Sequence, residues 1–469
     1  MTNGLARGAT LGLLTVVVER AVGFAVLLAA ARVLVPAEFG VYTYLLAGIA
    51  PLQVMADQGL EIVAVAAMSR DGRRAGAVLA GVLVARGLLW LAVAVPMAAL
   101  FLGGAGGGAL REAALIASGL VLLGPSMPYR SLARARGEMG RVFTVMLADA
   151  LASASAMMGV LLAGGGAGGL LAARVGASML VTAVAARIAP VTPLVAPARA
   201  GAAAVELARD AWPLAANALL LSLVVRAGHL VLMAVAGASA VAYLGAAGRV
   251  AEMVSLLAEG VMLAVFPVMA ASPERTGAIA AQVGRPLSLL VLWAVVTVSC
   301  ASEMLVSILF GADYAPAAPA LAVLAWGGLF AATGTLVLHG LVAGGRQRLL
   351  LATNLGAMTT AVALQLLLVP RFQLIGSAAA TVAALAMGQI LLALVPTSRP
   401  AVVASWRASL PALGLALSTL AAVSWLDVPE PWRGPAAALL FAAGAWGAGL
   451  VRPEDVALLA RAATGARGR

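Results

Sequence analysis

Charge is what this sequence holds least of. Only 10% of its 469 residues are charged and 63% are hydrophobic, whereas a soluble domain carries about 25% charged residues to face water. A globule so poor in charge cannot cover its surface, so its solvent is largely lipid. Lysine is missing altogether: all 30 basic residues are Arg. With the abundance of Ala, Gly and Val, this reads as GC-rich coding bias, so Arg in place of Lys carries little information at any one position. The single cysteine, Cys300, excludes an internal disulfide and a Cys-based metal cluster. His229 and His339 are too few and too far apart for a zinc motif. There is no Walker motif, no His/Ser/Asp arrangement in loops and no metal-ligand spacing. The Gly-rich stretches 103–108 and 164–169 lack a Gly-Lys-Ser/Thr ending and read as turns. No catalytic residue, metal or cofactor is expected, and primary active transport by this chain alone is disfavoured.

What the sequence has is long apolar runs. About 20 apolar residues take a helix across the hydrocarbon core. Such runs fall at 9–33, 39–67, 77–101, 113–128, 142–163 and 168–188, then at 212–236, 240–268, 287–309, 319–343, 350–369 and 375–396, with a closing pair at 410–426 and 434–450. The first run is too long for a signal-peptide core and lacks a small-residue cleavage pattern, so it is read as a retained helix. The net charge of +11 would suggest nucleic acid in a soluble protein, but here the basic residues sit in short loops. With the N-terminus in the cytoplasm, twenty-one loop and tail arginines fall on the cytoplasmic side and only Arg111, Arg371 and Arg433 on the other. That asymmetry is the positive-inside pattern, and it holds to the end of the chain. The expectation is therefore an all-α polytopic protein of the inner membrane, with about fourteen spans and both termini cytoplasmic.

Two stretches six spans apart share a faint pattern. One runs from Glu19-Arg20 through Tyr42 to Asp57-Gln58-Gly59 and Arg70; the other runs from Arg226 through Tyr243 to Glu259-Gly260 and Arg275. Six is even, so the halves insert in the same orientation, as a parallel repeat about an axis along the membrane normal. The expected organisation is a six-helix lobe at 1–190, a cytoplasmic linker at 191–211, a second six-helix lobe at 212–397, two additional helices at 398–451 and a cytoplasmic tail at 452–469.

Eight charges lie well inside spans: Glu19, Arg20, Asp57, Arg86, Arg226, Arg249, Glu252 and Glu259. Each would cost roughly 2.5–3.5 kcal/mol if it faced lipid near the bilayer centre. They must face one another or a watered cavity. Arg249, Glu252 and Glu259 form a stripe along the eighth span. Arg249 and Glu252 can neutralise each other at that spacing, and Arg20 can pair with Glu19 or Asp57. The concentration of the set in spans 1, 2, 7 and 8 points to a lined cavity. Pro51, one and a half turns before Asp57, frees a backbone carbonyl and is a candidate hinge. Glu61, Asp149, Arg174, Glu303 and His339 lie nearer span ends and are read as snorkelling to the interface. Cys300 is read as a packing residue. A secondary transporter or a facilitator fits these features.

The segment Glu19-Arg20-Ala-Val-Gly23-Phe24, then Ala31-Arg32-Val-Leu34-Val-Pro36-Ala-Glu38-Phe39-Gly40-Val-Tyr42, resembles the start of the polysaccharide transporters. These are Wzx-like flippases of lipid-linked oligosaccharides, in the superfamily that also holds the multidrug and toxic compound extrusion transporters. The runs Asp57-Gln-Gly59-Leu60-Glu61 and Phe310-Gly311-Ala-Asp313-Tyr314-Ala-Pro316, leading to Gly344-Gly-Arg346-Gln, look similar too. The resemblance implies two six-helix lobes around a central cleft and alternating access, with an undecaprenyl-diphosphate-linked glycan as cargo. It assigns Arg20, Arg226 and Arg249, and less directly Arg86, to a cationic substrate-binding cleft. Asp57, Glu252, Glu259 and Glu19 become candidates for coupling to H⁺ or Na⁺. Expected partners are the lipid-linked glycan, membrane lipids and a glycan polymerase or assembly complex, with no nucleic acid. The alternatives are a cation-coupled exporter of small amphipathic molecules and, in another class, a membrane-embedded glycan polymerase or transferase. An exporter of cations calls for an acidic cleft, and a polymerase for a long outer loop, whereas the loop near 102–112 is short and Gly-rich.

Overall fold

A computed structural model describes residues 2–102, 114–119, 127–188, 195–271, 276–343 and 347–451. The described secondary structure is helical throughout: α1 (Thr2–Val33), α2 (Pro36–Val54), a π-helical turn (Met55–Gly59), α3 (Leu60–Arg70), α4 (Ala75–Leu102), α5 (Met127–Ala135), α6 (Met139–Leu162) and α7 (Ala167–Ile188). There follow α8 (Pro197–Ala271), α9 (Thr276–Cys300), α10 (Ser302–Phe310), α11 (Ala318–Ala325), α12 (Gly327–Ala343), α13 (Gln347–Leu394), α14 (Arg399–Trp425) and α15 (Glu430–Gly447). Of the span expected at 113–128, residues 114–119 are helical and 120–126 lie outside the described residues, as do Arg111, the glycines at 103–108, Arg346 and the tail 452–469.

Eight helical segments among the described residues are long and apolar enough to cross a membrane. Two of them, Pro197–Met262 and Leu349–Leu394, are far longer than one crossing needs. Each is interrupted: Gly237 sits at φ 80° inside α8 and Gln373 at φ 44° inside α13. These breaks fall where the apolar runs place their connections, at 237–240 and between 369 and 375. Gly164 (φ 74°) and Gly311 (φ 97°) close two further turns. Glycine tolerates this left-handed backbone because it has no Cβ. Exposed Trp425, Trp432 and Trp446 stand near helix ends, where indole rings favour the membrane–water boundary.

The chain divides into two compact units, Met1–Arg226 and Ala227–Arg469. In the first, α1 packs on α6, α6 on α7, and α3 on α5. The stretch 191–211, expected as a linker, is helical from Pro197 onward. Ala200, Ala203, Ala204, Leu207 and Ala211 are buried along it, the three-and-four spacing of an amphipathic helix. Gly81 of α4 and Gly59 permit this packing: a Cβ on Gly81 would lie 2.9 Å from backbone atoms of Ala203 and Ala204, and one on Gly59 would lie 2.6 Å from Ala215 Cβ.

In the second unit α9 is the central rod, contacted by α12, α14 and α15. Its Val291, Leu292, Val295 and Val296 are fully buried. The Phe310–Pro316 motif has a structural role here. Its Tyr314 is buried against Phe310 (ring centroids 5.6 Å) and meets Tyr243 edge-on at 5.8 Å, pinning the turn onto α8.

Candidate functional site

The first unit carries a charge network built on the distorted second span. Pro51 is buried inside α2 and cannot donate a backbone hydrogen bond. One turn later the helix widens into the π-turn, with Met55 N–H directed at the carbonyls of Pro51 and Leu52. A single π-turn inserts an extra residue and so rotates the side chains beyond it about the helix axis. Here the rotated residues include Asp57 and, four positions on, Glu61.

Asp57 Oδ1 accepts from Arg86 Nη1 of α4 at 2.6 Å, and Arg86 is 1% exposed. Arg86 is thus neutralised in a dry position, and contact with a ligand would require this pair to open. Glu61 is more heavily engaged. Its carboxylate accepts from Arg130 Nε at 3.2 Å, Arg130 Nη2 at 2.8 Å and Arg134 Nη1 at 2.6 Å. The two-pronged contact with Arg130 is the fork geometry that guanidinium offers a carboxylate. Glu61 (9% exposed) and Arg130 (8%) are both buried. Arg130 and Arg134 lie one turn apart on α5, so one acid holds two cations.

The network extends through Arg130, whose electrostatic neighbours include Asp57 and Glu19 as well as Glu61. Glu19 on α1 is exposed and lies within the fields of Arg130, Arg174, Asp149 and Arg20. Asp149 on α6 is 7% exposed, is hydrogen-bonded to Ser178 of α7 and neighbours Arg174. Its Oδ1 is buried without a hydrogen-bond partner among the described residues, as is Ser153 Oγ one turn away. Four acids and five arginines therefore come together in one unit, leaving an excess of positive charge.

Of the residues singled out in the sequence, Glu19, Arg20, Asp57, Arg86 and Pro51 belong to this neighbourhood. Arg20 is exposed on α1. Arg226 is half-buried at the end of the first unit. In the second unit Arg249 Nη1 donates to Glu252 Oε2 at 3.0 Å across one helical turn, both partly exposed, and Glu259 is exposed on the same helix. Glu61 and Asp149 are corrections. Read as snorkelling span-end groups, both are buried, because the helices facing them carry basic or hydroxyl partners. Arg130 and Arg134, read as loop charges, stand on a helix and complete the Glu61 site. Their i,i+4 spacing was the available signal. The corresponding cue for Asp149 was its place in the apolar stripe Val142, Met146, Asp149, Ser153 and Met157. No group of acidic, His or Cys side chains suited to a metal ion occurs among the described residues.

The chain has the helices of a multi-pass membrane protein and a polar network in its first unit, and solved structures share its fold. A lipid II flippase, MurJ, in an inward closed conformation matches with a TM-score of 0.73 at 15% identity, over 92% of this chain and 98% of that one. An inward-facing multidrug resistance transporter of the multidrug and toxic compound extrusion type matches at 0.59 and 16% identity, over 85% and 95%. A superfamily transporter from Pyrococcus furiosus, described as having a binding pocket of reverse polarity, matches at 0.54 and 16%, over 90% and 95%. Among curated proteins no sequence match is found. The family model for polysaccharide biosynthesis proteins matches residues 29–319, and the chain belongs to that family.

Proposed function

We propose that this protein moves a lipid-linked, diphosphate-bearing saccharide precursor across the inner membrane by alternating access, with both termini in the cytoplasm. The carrying observation is the arginine excess of the first unit: Glu61 shared by Arg130 and Arg134, with Arg20 and Arg174 nearby. A diphosphate and acidic sugars are anions, and guanidinium groups bind phosphate as a fork. Membership of the polysaccharide biosynthesis family and the fold shared with a lipid II flippase support the same reading.

In this reading Arg20, Arg226 and Arg249 remain the candidate cations for the cargo's anionic groups, and Arg86 is a reserve cation released when its contact with Asp57 opens. Glu19, Asp57, Glu252 and Glu259 remain the candidates for coupling to H⁺ or Na⁺. Asp149 joins them because one of its carboxylate oxygens is buried without a partner among the described residues. Pro51 and the π-turn beyond it supply the flexing point. Export of small cationic amphiphiles is the second reading, favoured only by the shared fold.

The test is reconstitution into liposomes with a fluorescent undecaprenyl-diphosphate oligosaccharide. Wild-type protein should make the probe accessible in the opposite leaflet, whereas Arg20→Ala and Arg226→Ala should not. Translocation at the wild-type rate in both variants would refute the cationic-cleft model.

A further inference from the structure

The second unit contains a cavity of about 930 Å³ that the charge network does not use. That volume lies at the upper end of the roughly 300–1,000 Å³ typical of small-molecule sites. Its wall comes from three helix faces. Ala379, Val382, Ala383 and Ala386 repeat at three- and four-residue spacing on α13. Val323, Trp326 and Phe330 line it from α11, α12 and the turn between them, and Leu420 and Val423 line it from α14. The alanines make the space, since larger side chains at those positions would fill it. The α13 face runs over eight residues, roughly 12 Å of helix at 1.5 Å per residue.

One end is different. Glu303, at the start of α10, Asp427, in the turn after α14, and Arg433, on α15, line the cavity together with Ser302 and Ser424. Arg433 is held there by its Nε–H donating to the Val428 carbonyl at 3.0 Å. Gly434 lets the start of α15 come close, because a Cβ there would lie 2.5 Å from Ala301 Cβ. Behind Glu303 stands Glu430, and a hydrogen bond between the two carboxyl groups pushes Glu430 above the usual carboxylate range. The rim thus carries two carboxylates against one guanidinium, backed by a third acid. Local negative potential is in excess.

An apolar shaft with a mixed-charge, net acidic rim matches one ligand chemistry. We propose that this cavity holds an acyl chain of an aminophospholipid, with its ammonium group on Glu303 and Asp427 and its phosphodiester on Arg433. A polyprenyl diphosphate is a poor occupant, because its head would face this acidic rim with a single cation to meet it. A choline headgroup is also disfavoured, since it has no N–H to donate to the carboxylates. The site is independent of the transport reading.

The experiment measures lipid retention and not transport. The full-length protein, in nanodiscs holding equal phosphatidylethanolamine, phosphatidylcholine and phosphatidylglycerol, is extracted gently and its bound lipid is identified by native mass spectrometry. Wild-type protein should retain phosphatidylethanolamine, enriched about tenfold over either competitor, the scale of one or two charge-assisted hydrogen bonds. Ala383→Trp should lose the lipid by filling the shaft. Asp427→Asn keeps the cavity and suits the left-handed backbone there (φ 46°), so it should retain lipid while losing most of the headgroup preference. Equal retention of the three lipids by the wild type, undiminished lipid retention by Ala383→Trp, an unchanged headgroup preference in Asp427→Asn, or co-purification of a polyprenyl diphosphate in place of phospholipid would each overturn the proposal.

Discussion

Glu61 and Arg130 are 69 positions apart in the chain, yet their side chains meet through two hydrogen bonds of 3.2 and 2.8 Å, both partners buried. Taking two charges out of water is costly, and the attraction between them offsets that cost only with good geometry. Removing one partner leaves the other stranded. Glu61→Ala should therefore lower stability by about 3–5 kcal/mol, because Arg130 and Arg134 both lose their counter-ion. Glu61→Ala combined with Arg130→Met should recover much of that loss. Thermal unfolding in detergent, followed by intrinsic fluorescence, reads both. Additive losses in the double variant would mean that the pair is not coupled.

The close approach of α4 to α8 rests on Gly81. A Cβ there meets backbone atoms of Ala203 and Ala204 at 2.9 Å, and backbone cannot rotate away as a side chain can. Gly81→Ala should cost about 1–3 kcal/mol. Gly23→Ala, where nothing lies within 4 Å, should be neutral or slightly stabilising as a control. Melting temperatures of the two purified variants decide this.

Gln373 has φ 44° and ψ −118° at the break inside α13, a backbone region that L-residues with a Cβ rarely enter. Strain of this kind costs of order 1–3 kcal/mol. Gln373→Gly should raise the unfolding midpoint accordingly, and a lower midpoint would show that the side chain repays the strain.

Glu430 gives a pH prediction. Its carboxyl is raised by the hydrogen bond to Glu303, so the folded state holds its proton more tightly than the unfolded chain does. Stability from this group is fullest at low pH and is lost as pH rises above the ordinary carboxylate range. Glu430→Gln keeps a hydrogen-bond donor without titrating. Its melting temperature should fall less than that of the wild type between mildly acidic and neutral pH. Parallel pH profiles would exclude the coupling.

Pro51→Ala should restore a backbone donor and straighten the second span. Stability should hold or rise while flipping slows, measured by the leaflet assay alongside melting. Wild-type flipping in this variant would remove Pro51 as the flexing point.

Apolar run length made the helical fold legible, and connections such as those at Gly237 and Gly311 announced themselves through small residues between the runs. The charge network was legible only in part. Intramembrane Glu19, Arg20, Asp57 and Arg86 stand out because a charge amid apolar neighbours has no cheap place to go. Glu61 does not, since its position near a span end is equally suited to reaching water. Its fate is decided by α5, a nine-residue helix more than sixty positions away, and helical periodicity reports neighbours within one helix only. The cavity left no trace of its own, since the alanines that open it look like any others in an Ala-rich chain.

The first stretch of α8 runs unbroken from Pro197 to Gly237, roughly 60 Å at 1.5 Å per residue. Two contacts too tight for a methyl group, at Gly59 and Gly81, bind this shaft to the π-turn and to α4, and Arg74 grips Glu206 near its foot. A force applied to this foot would reach the π-turn and α4 through those same contacts, because neither leaves room to slip.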